Sequence, residues 1–340
     1  MKLRKAEICL TLGLTISSQA IHGQELQPIP QEVHEAQRSL EQEQAKEEAQ
    51  LQVQDLASRQ VLLRKGQLEI EPTLTYAYSS NNNLSIDGFA LLPIFVVGQI
   101  QSERVRRTVL APAVSVSYGL LDNLQMEAEV PFRYRLDELT LSNNQQQRAD
   151  RVGLGDIRIG LATQLHRQGI GKMADVIGNL NLFIPTGDDP FSYNQDNLAD
   201  KDIPLGSGFW SLGGGFTTIM ASDPAILFGS ISGMYNFSRG TGGRVLKGRV
   251  HPGKSIGYNL GLALALNYQL TINLQVQHSF TFRTKVEGVN LNNSSLNDAR
   301  FLIGWAWAYN PNRSLQLSIG SGLTEDAPDL LLRVSMPLKL

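Results

Sequence analysis

From Gln67 to the C-terminus, apolar and polar positions alternate. Between Leu124 and Asp137 the even positions are Leu124, Met126, Ala128, Val130, Phe132, Tyr134 and Leu136. The odd positions are Gln125, Glu127, Glu129, Pro131, Arg133, Arg135 and Asp137. Successive side chains of a strand point to opposite faces, so this stretch predicts a strand with one apolar and one ionic face. The period recurs at 68–78, where Leu68, Ile70, Leu74, Tyr76 and Tyr78 oppose Glu69, Glu71, Thr73 and Thr75. It recurs at 155–166, where Ile157, Ile159, Leu161 and Leu165 oppose Asp156, Arg158, Gln164 and His166. At 254–269 tyrosines stand at both ends of the apolar face (Tyr258, Tyr268), and at 271–283 Ile272, Leu274, Val276, Phe280 and Phe282 oppose Asn273, Gln275, Gln277, Ser279 and Arg283. Long strands of this kind suit a barrel wall in a bilayer, where roughly 9–11 tilted residues cross the hydrocarbon.

The breaks between strands set the topology. Short turns fall at 120–123, 167–173, 221–224, 269–271 and 310–312. Longer polar connections fall at 79–106, 137–153, 187–206, 238–253, 285–298 and 322–328. Short turns on one side and long loops on the other put both barrel ends in the periplasm and require an even strand number. The expected fold is all-β, a transmembrane antiparallel barrel of about twelve strands over residues 66–340.

Composition agrees with a barrel. Hydrophobic residues make up 42% of the chain and charged residues 18%. No long apolar run of helical-span length occurs outside the N-terminus, and a barrel reads as polar on average because half of each strand faces the lumen. The formal net charge of −2 gives no support for nucleic-acid binding. Residues 1–23 read as a signal peptide: Lys2, Arg4 and Lys5 precede an apolar stretch, and cleavage fits after Ala20 or Gly23. The sole cysteine, Cys9, lies inside it.

Residues 24–65 form a different segment, expected to be a periplasmic helical arm. Residues 31–65 have no Gly or Pro and are rich in Gln, Glu, Ala and Leu, all compatible with helix. The heptad signal is poor, so a solvated arm and a weak coiled coil both fit. Leu51, Leu56, Val61 and Leu62 make the stretch before the barrel more amphipathic, and Arg64 and Lys65 close it.

Several motifs resemble a family of outer-membrane barrels labelled after the meta-pathway of phenol degradation. They are the run Gly66 to Pro72, the aromatic-serine run Tyr76 to Ser80, Tyr118-Gly119-Leu120, Gly155-Asp156-Ile157 and Pro185-Thr186-Gly187. That family includes the secretion channel of the functional-amyloid (Fap) system. The resemblance implies a twelve-stranded barrel, a periplasmic coil that drives a homotrimer, and a helix that plugs the lumen. By that resemblance, the plug candidate includes Leu51, Leu56, Val61, Leu62, Arg64 and Lys65. The short arm and the non-aromatic last residue, Leu340, depart from the pattern.

No catalytic, cofactor-binding or metal-ligating set emerges. The five histidines are scattered. His278 and Ser279 are adjacent on a strand and therefore face opposite ways, so they cannot form a hydrolytic dyad within it. The informative charges are the inward ones: Glu69, Glu71, Glu127 and Glu129 towards the periplasm, Arg133, Arg135, Asp156 and Arg158 towards the outside, with Gln275, Gln277 and Arg283 on a further wall. They form either a structural ionic network or a surface on which Arg64 and Lys65 dock a plug. The expected function is passage of a solute or an unfolded polypeptide across the outer membrane, in contact with its lipid. Secretion of an amyloid subunit is one reading, uptake of small aromatic compounds a second, and a sealed structural barrel or adhesin a third.

Overall fold

The computed structural model describes residues 62–80, 84–86, 89–91, 102–141, 146–166, 174–191, 203–222, 225–242, 247–292, 294–310 and 312–340. The signal segment, the proposed coil and Leu51, Leu56 and Val61 of the plug candidate lie outside the described residues.

Twelve antiparallel strands close into a barrel. They are β1 (Leu68–Ser79), β2 (Ser102–Leu121), β3 (Leu124–Leu141), β4 (Gln146–Leu154 continuing as Ile157–His166), β5 (Asp175–Ile184), β6 (Ser211–Ser222), β7 (Ala225–Asn236), β8 (Ser255–Ala265), β9 (Leu270–Thr281), β10 (Leu296–Asn310), β11 (Arg313–Gly322) and β12 (Leu330–Ser335, resumed at Leu338–Lys339). Each strand pairs with its sequence neighbours, and β12 closes the ring on β1, with Tyr78 opposite Leu330 and Thr73 opposite Ser335. Closure leaves no unpaired sheet edge in lipid, which has no water to satisfy one.

The apolar phase of the strands is the exposed one. Val114, Val116, Met126, Leu180, Phe216, Ile231, Leu260 and Val276 are all exposed although apolar, a pattern that fits lipid and not water. Aromatic pairs cap this belt: Tyr235 with Phe237 and Phe280 with Phe282 on one side, Trp307 with Tyr309 on the other. His278 belongs to the belt too. It meets the Tyr258 ring edge-on, 5.0 Å between centroids, and its Nε2 lies 2.6 Å from Asn297 Oδ1.

β2, with 20 residues, and β3, with 18, are longer than the roughly 9–11 residues that a strand needs to cross the hydrocarbon. The polar stretch Glu138–Gly153, expected to be a loop, is mostly strand: β3 extends to Leu141 and pairs with 146–154. Pro131 stands opposite the break in β4. It has no N–H for the ladder, and its carbonyl takes the Gly155 N–H at 2.8 Å. One more residue lies between Gly153 and Arg158 than between their partners Arg133 and Glu129, so the break is a β-bulge. Outside the barrel, Arg239–Gly242, Lys247–His251, Lys285–Val286 and Val289–Asn290 form a small four-stranded sheet.

Candidate functional site in the barrel lumen

The bulge in β4 positions Asp156, 4% exposed. Its carboxylate accepts the N–H of Gly187 at 3.1 Å and of Ser207 at 2.7 Å, holding together the two ends of the connection between β5 and β6. Residues 203–206 are thereby drawn into the mouth on the long-loop side of the barrel. Arg133 donates to the Leu205 carbonyl at 2.5 Å and Arg135 to that of Pro204 at 2.9 Å. Ile203, Pro204 and Leu205 are fully buried. Two ion pairs tie the same loop from other sides, Arg151 with Asp188 and Arg239 with Asp189, both at 2.9 Å. The space left between Pro204, Phe209, Met234, Val250 and Thr281 is a cavity of about 50 Å³, room for a water or two.

Above this loop Asp137 binds two guanidiniums at once. Arg135 reaches it at 3.0 and 2.7 Å, and Arg107 from β2 at 3.0 and 3.3 Å. All three are almost wholly buried, and Arg107 Nη1 has no hydrogen-bond partner. Sequence reasoning missed Arg107, because it placed residues 79–106 in a loop and left Arg107 at an unmarked strand start.

Towards the short-turn end of the barrel, Arg158 bridges Glu127 at 2.5 Å and Glu129 at 2.7 Å, and Ser115 donates to Glu129 at 3.2 Å. Glu71 stands opposite Ser115 in the ladder, and Glu69 opposite Ser117 and Lys339. Arg158 therefore occupies two of the four carboxylates offered as a docking surface for Arg64 and Lys65, namely Glu127 and Glu129, and leaves Glu69 and Glu71; Arg64 and Lys65 are exposed. Removing the one cation between two carboxylates makes the lumen more negative. The Arg158→Gln channel is expected to be more cation-selective, with its reversal potential in a KCl gradient moved towards that of potassium; an unmoved potential would place these groups off the ion path. Gln275 links Asn273 and Gln277 at 3.2 and 3.3 Å. Arg283 departs from the expectation of a lumen residue: β9 ends at Thr281, and Arg283 is exposed beyond it.

The barrel mouth on the short-turn side receives the chain that precedes β1. Gly66, with φ of 82°, turns it over the rim. The Gly66 N–H donates to the Gly119 carbonyl at 2.8 Å, and Gly119 N–H to that of Gln67 at 3.0 Å. Lys65 N–H reaches Asp122 at 3.2 Å and Leu63 N–H reaches Gln125 at 2.8 Å. Leu63 is buried, and Leu62 packs on Ile177, Ile219, Ile226 and Phe228, with Ala162 and Ala263 beside them. These four large residues occupy the inward phase of their strands. An apolar residue in the inward phase was the signal in the sequence that marked them.

Solved structures share the architecture. An outer membrane channel from Pseudomonas putida F1 aligns over 82% of this chain and 97% of its own at 14% identity, with a TM-score of 0.60. The translocator domain of the autotransporter NalP from Neisseria meningitidis aligns over 90% and 97% at 8% identity, with a TM-score of 0.46. The Pseudomonas putida toluene transporter TodX aligns over 83% and 90% at 11% identity, with a TM-score of 0.40. At such identities the first of these speaks for the barrel fold. The model of the family described as the MetA-pathway of phenol degradation matches residues 101–336, so the chain belongs to that family.

Proposed function

We propose that this protein is an outer-membrane channel for small solutes, with the chain ahead of β1 seated in its periplasmic mouth. The observation that supports this reading is the pinned outer constriction. A polypeptide in transit has to expel the 203–206 segment, breaking the Arg133 and Arg135 bonds to its carbonyls and the Asp156 bonds at its ends. Hydrogen bonds to charged groups contribute about 1.5–3 kcal/mol each, so four of them make a costly gate. A small solute needs only side chains to move. Uptake of small compounds therefore fits the outer mouth better than secretion of an amyloid subunit.

Planar-bilayer conductance of the mature protein, compared with a variant that begins at Gly66, tests the reading. The shorter protein is expected to show the larger and steadier conductance, because Leu62 and Leu63 no longer occupy the periplasmic mouth. Equal conductance would remove the preceding chain from the reading. Silence from both, with the barrels shown to be folded by heat-modifiable gel mobility, would overturn the channel itself.

A further inference from the structure

On the long-loop side, the wall made by β7, β8 and β9 runs past its aromatic belt into a basic surface. Ile256, Tyr258 and Leu260 hold the lipid-facing phase of β8, and Lys254 is the next position in that phase. The Lys254 carbonyl accepts the Phe282 N–H at 2.8 Å, one step beyond the last ladder pair, Ser255 with Thr281. Lys254 Nζ lies over the Tyr235 ring, 5.2 Å from its centroid. The small four-stranded sheet takes over from there. His251 stands opposite Lys285, and Arg249 opposite Gly240. Val250 alternates with Arg249 and His251, is fully buried and lines the cavity beside Pro204. Arg249, His251 and Lys285 are therefore on the face turned away from that cavity, and all three are exposed. Arg283 is exposed beside Phe282.

Charge sets this surface apart from the rest of the rim. Residues 237–255 contain no carboxylate, and residues 281–295 contain only Glu287. The Glu287 carboxylate accepts the Arg249 backbone N–H, which ties it to the sheet. The connection between β11 and β12 has the opposite sign, with Glu325, Asp326 and Asp329. Among the described residues, no ion pair engages Arg249, Lys254, Arg283 or Lys285. Next to these cations, Tyr235, Phe237, Ile256 and Phe282 are exposed members of the apolar belt. The surface thus joins unpaired positive charge to the apolar wall, on one side of the barrel.

We propose that this surface binds a phosphorylated glycolipid of the outer leaflet, of the lipid A type. Its acyl chains lie on Tyr235, Phe237, Ile256 and Phe282, and its phosphates meet Arg249, Lys254, Arg283 and Lys285. An aromatic girdle marks the boundary between water and hydrocarbon, so cations one step beyond it stand at headgroup depth. Guanidiniums take phosphate oxygens in pairs, and the flexible ammoniums supply point charges that follow them. The ring of Tyr235 holds the Lys254 ammonium at this level through a cation–π contact. A soluble phosphate would use the cations and leave the apolar belt idle, whereas a glycolipid uses both. The inference rests on the long loops facing outwards, as their asymmetry with the short turns predicts. It holds whether or not the lumen conducts.

The test titrates lipid A carrying both phosphates into the full chain in detergent micelles and counts bound lipid by native mass spectrometry. One retained lipid A per chain is expected, and lipid A stripped of phosphate should bind about tenfold more weakly or worse. Lys254→Gln, Arg283→Gln and Lys285→Gln combined should weaken phosphorylated lipid A by about tenfold or more. Arg313→Gln removes an exposed charge at the short-turn end and should leave binding unchanged. Heat-modifiable gel mobility checks that the barrels are folded; should the triple variant fail, Lys285→Glu alone makes the same cut. Parent-like binding in the folded triple variant would overturn the site. Equal binding of the dephosphorylated lipid would overturn phosphate recognition, and equal losses in Arg313→Gln would reduce the effect to general charge attraction. Orientation is read on intact cells, where Asn290→Cys is expected to take a membrane-impermeant maleimide, with the unsubstituted chain as the blank. Labelling only after the outer membrane is opened would put the sheet on the inner side and overturn the proposal. Neither result bears on conductance, so failure here leaves the channel reading standing.

Discussion

Asp156→Ala is expected to raise single-channel conductance severalfold and to admit larger solutes than the parent protein. The carboxylate is nearly inaccessible, and both of its oxygens are used, one by Gly187 N–H and one by Ser207 N–H. It lies so close to Gly206 that a Cβ there would sit 2.4 Å from Oδ1. Alanine leaves two backbone donors without their acceptor, at a cost of about 1–3 kcal/mol each. The loop then depends on Arg133, Arg135 and two partly exposed ion pairs, and exposed pairs hold little. Opening the ends of the loop releases Pro204 and Leu205 from the mouth. Asp156→Asn keeps one acceptor oxygen and should fall between the two. Liposome swelling with sugars of increasing size reads the exclusion limit, and planar bilayers read the conductance. A folded Asp156→Ala protein with the parent's size limit would show that this loop does not set the aperture.

The wall was legible in the sequence, and its fittings were less so. Period-two alternation marks a strand when lipid lies on one side and water on the other, which is why the stretch from Leu124 to Leu136 could be read directly. Beyond the membrane both faces are wet, and the signal vanishes. Glu138 to Gly153 looked like a loop for that reason, although it forms the upper ends of β3 and β4. The same loss hid Arg107 and stretched β9 to Arg283. Asp156 stood in the inward phase, but its hold on Gly187 and Ser207 depends on a bulge created by Pro131 on the neighbouring strand, a pairing that alternation does not reveal. The apolar inward residues failed for the opposite reason. Ile177, Ile219 and Phe228 obey the alternation of position and break its chemistry, because they face other protein atoms in the lumen, Leu62 among them.

Gly119→Ala should open the periplasmic mouth without touching the barrel. A Cβ at Gly119 would lie 2.0 Å from the Arg64 carbonyl oxygen and 2.7 Å from its carbon. The atoms in the way are backbone, so no side-chain rotation relieves the clash, and the turn through Gly66 cannot swing elsewhere while its N–H is bound to the Gly119 carbonyl. What must yield is the seat of residues 63–67 on the rim. Leu63 then loses its bond to Gln125, and Leu62 is withdrawn from the cluster around Phe228. The strand beneath keeps its register, since Tyr118 still pairs with Leu68 and Met126. The Gly119→Ala channel is therefore expected to conduct like the variant that begins at Gly66. The same substitution placed in that shorter protein, where Arg64 is gone, should change nothing further. That non-additivity separates a displaced chain from a general loosening of the barrel, which would raise conductance in both backgrounds alike.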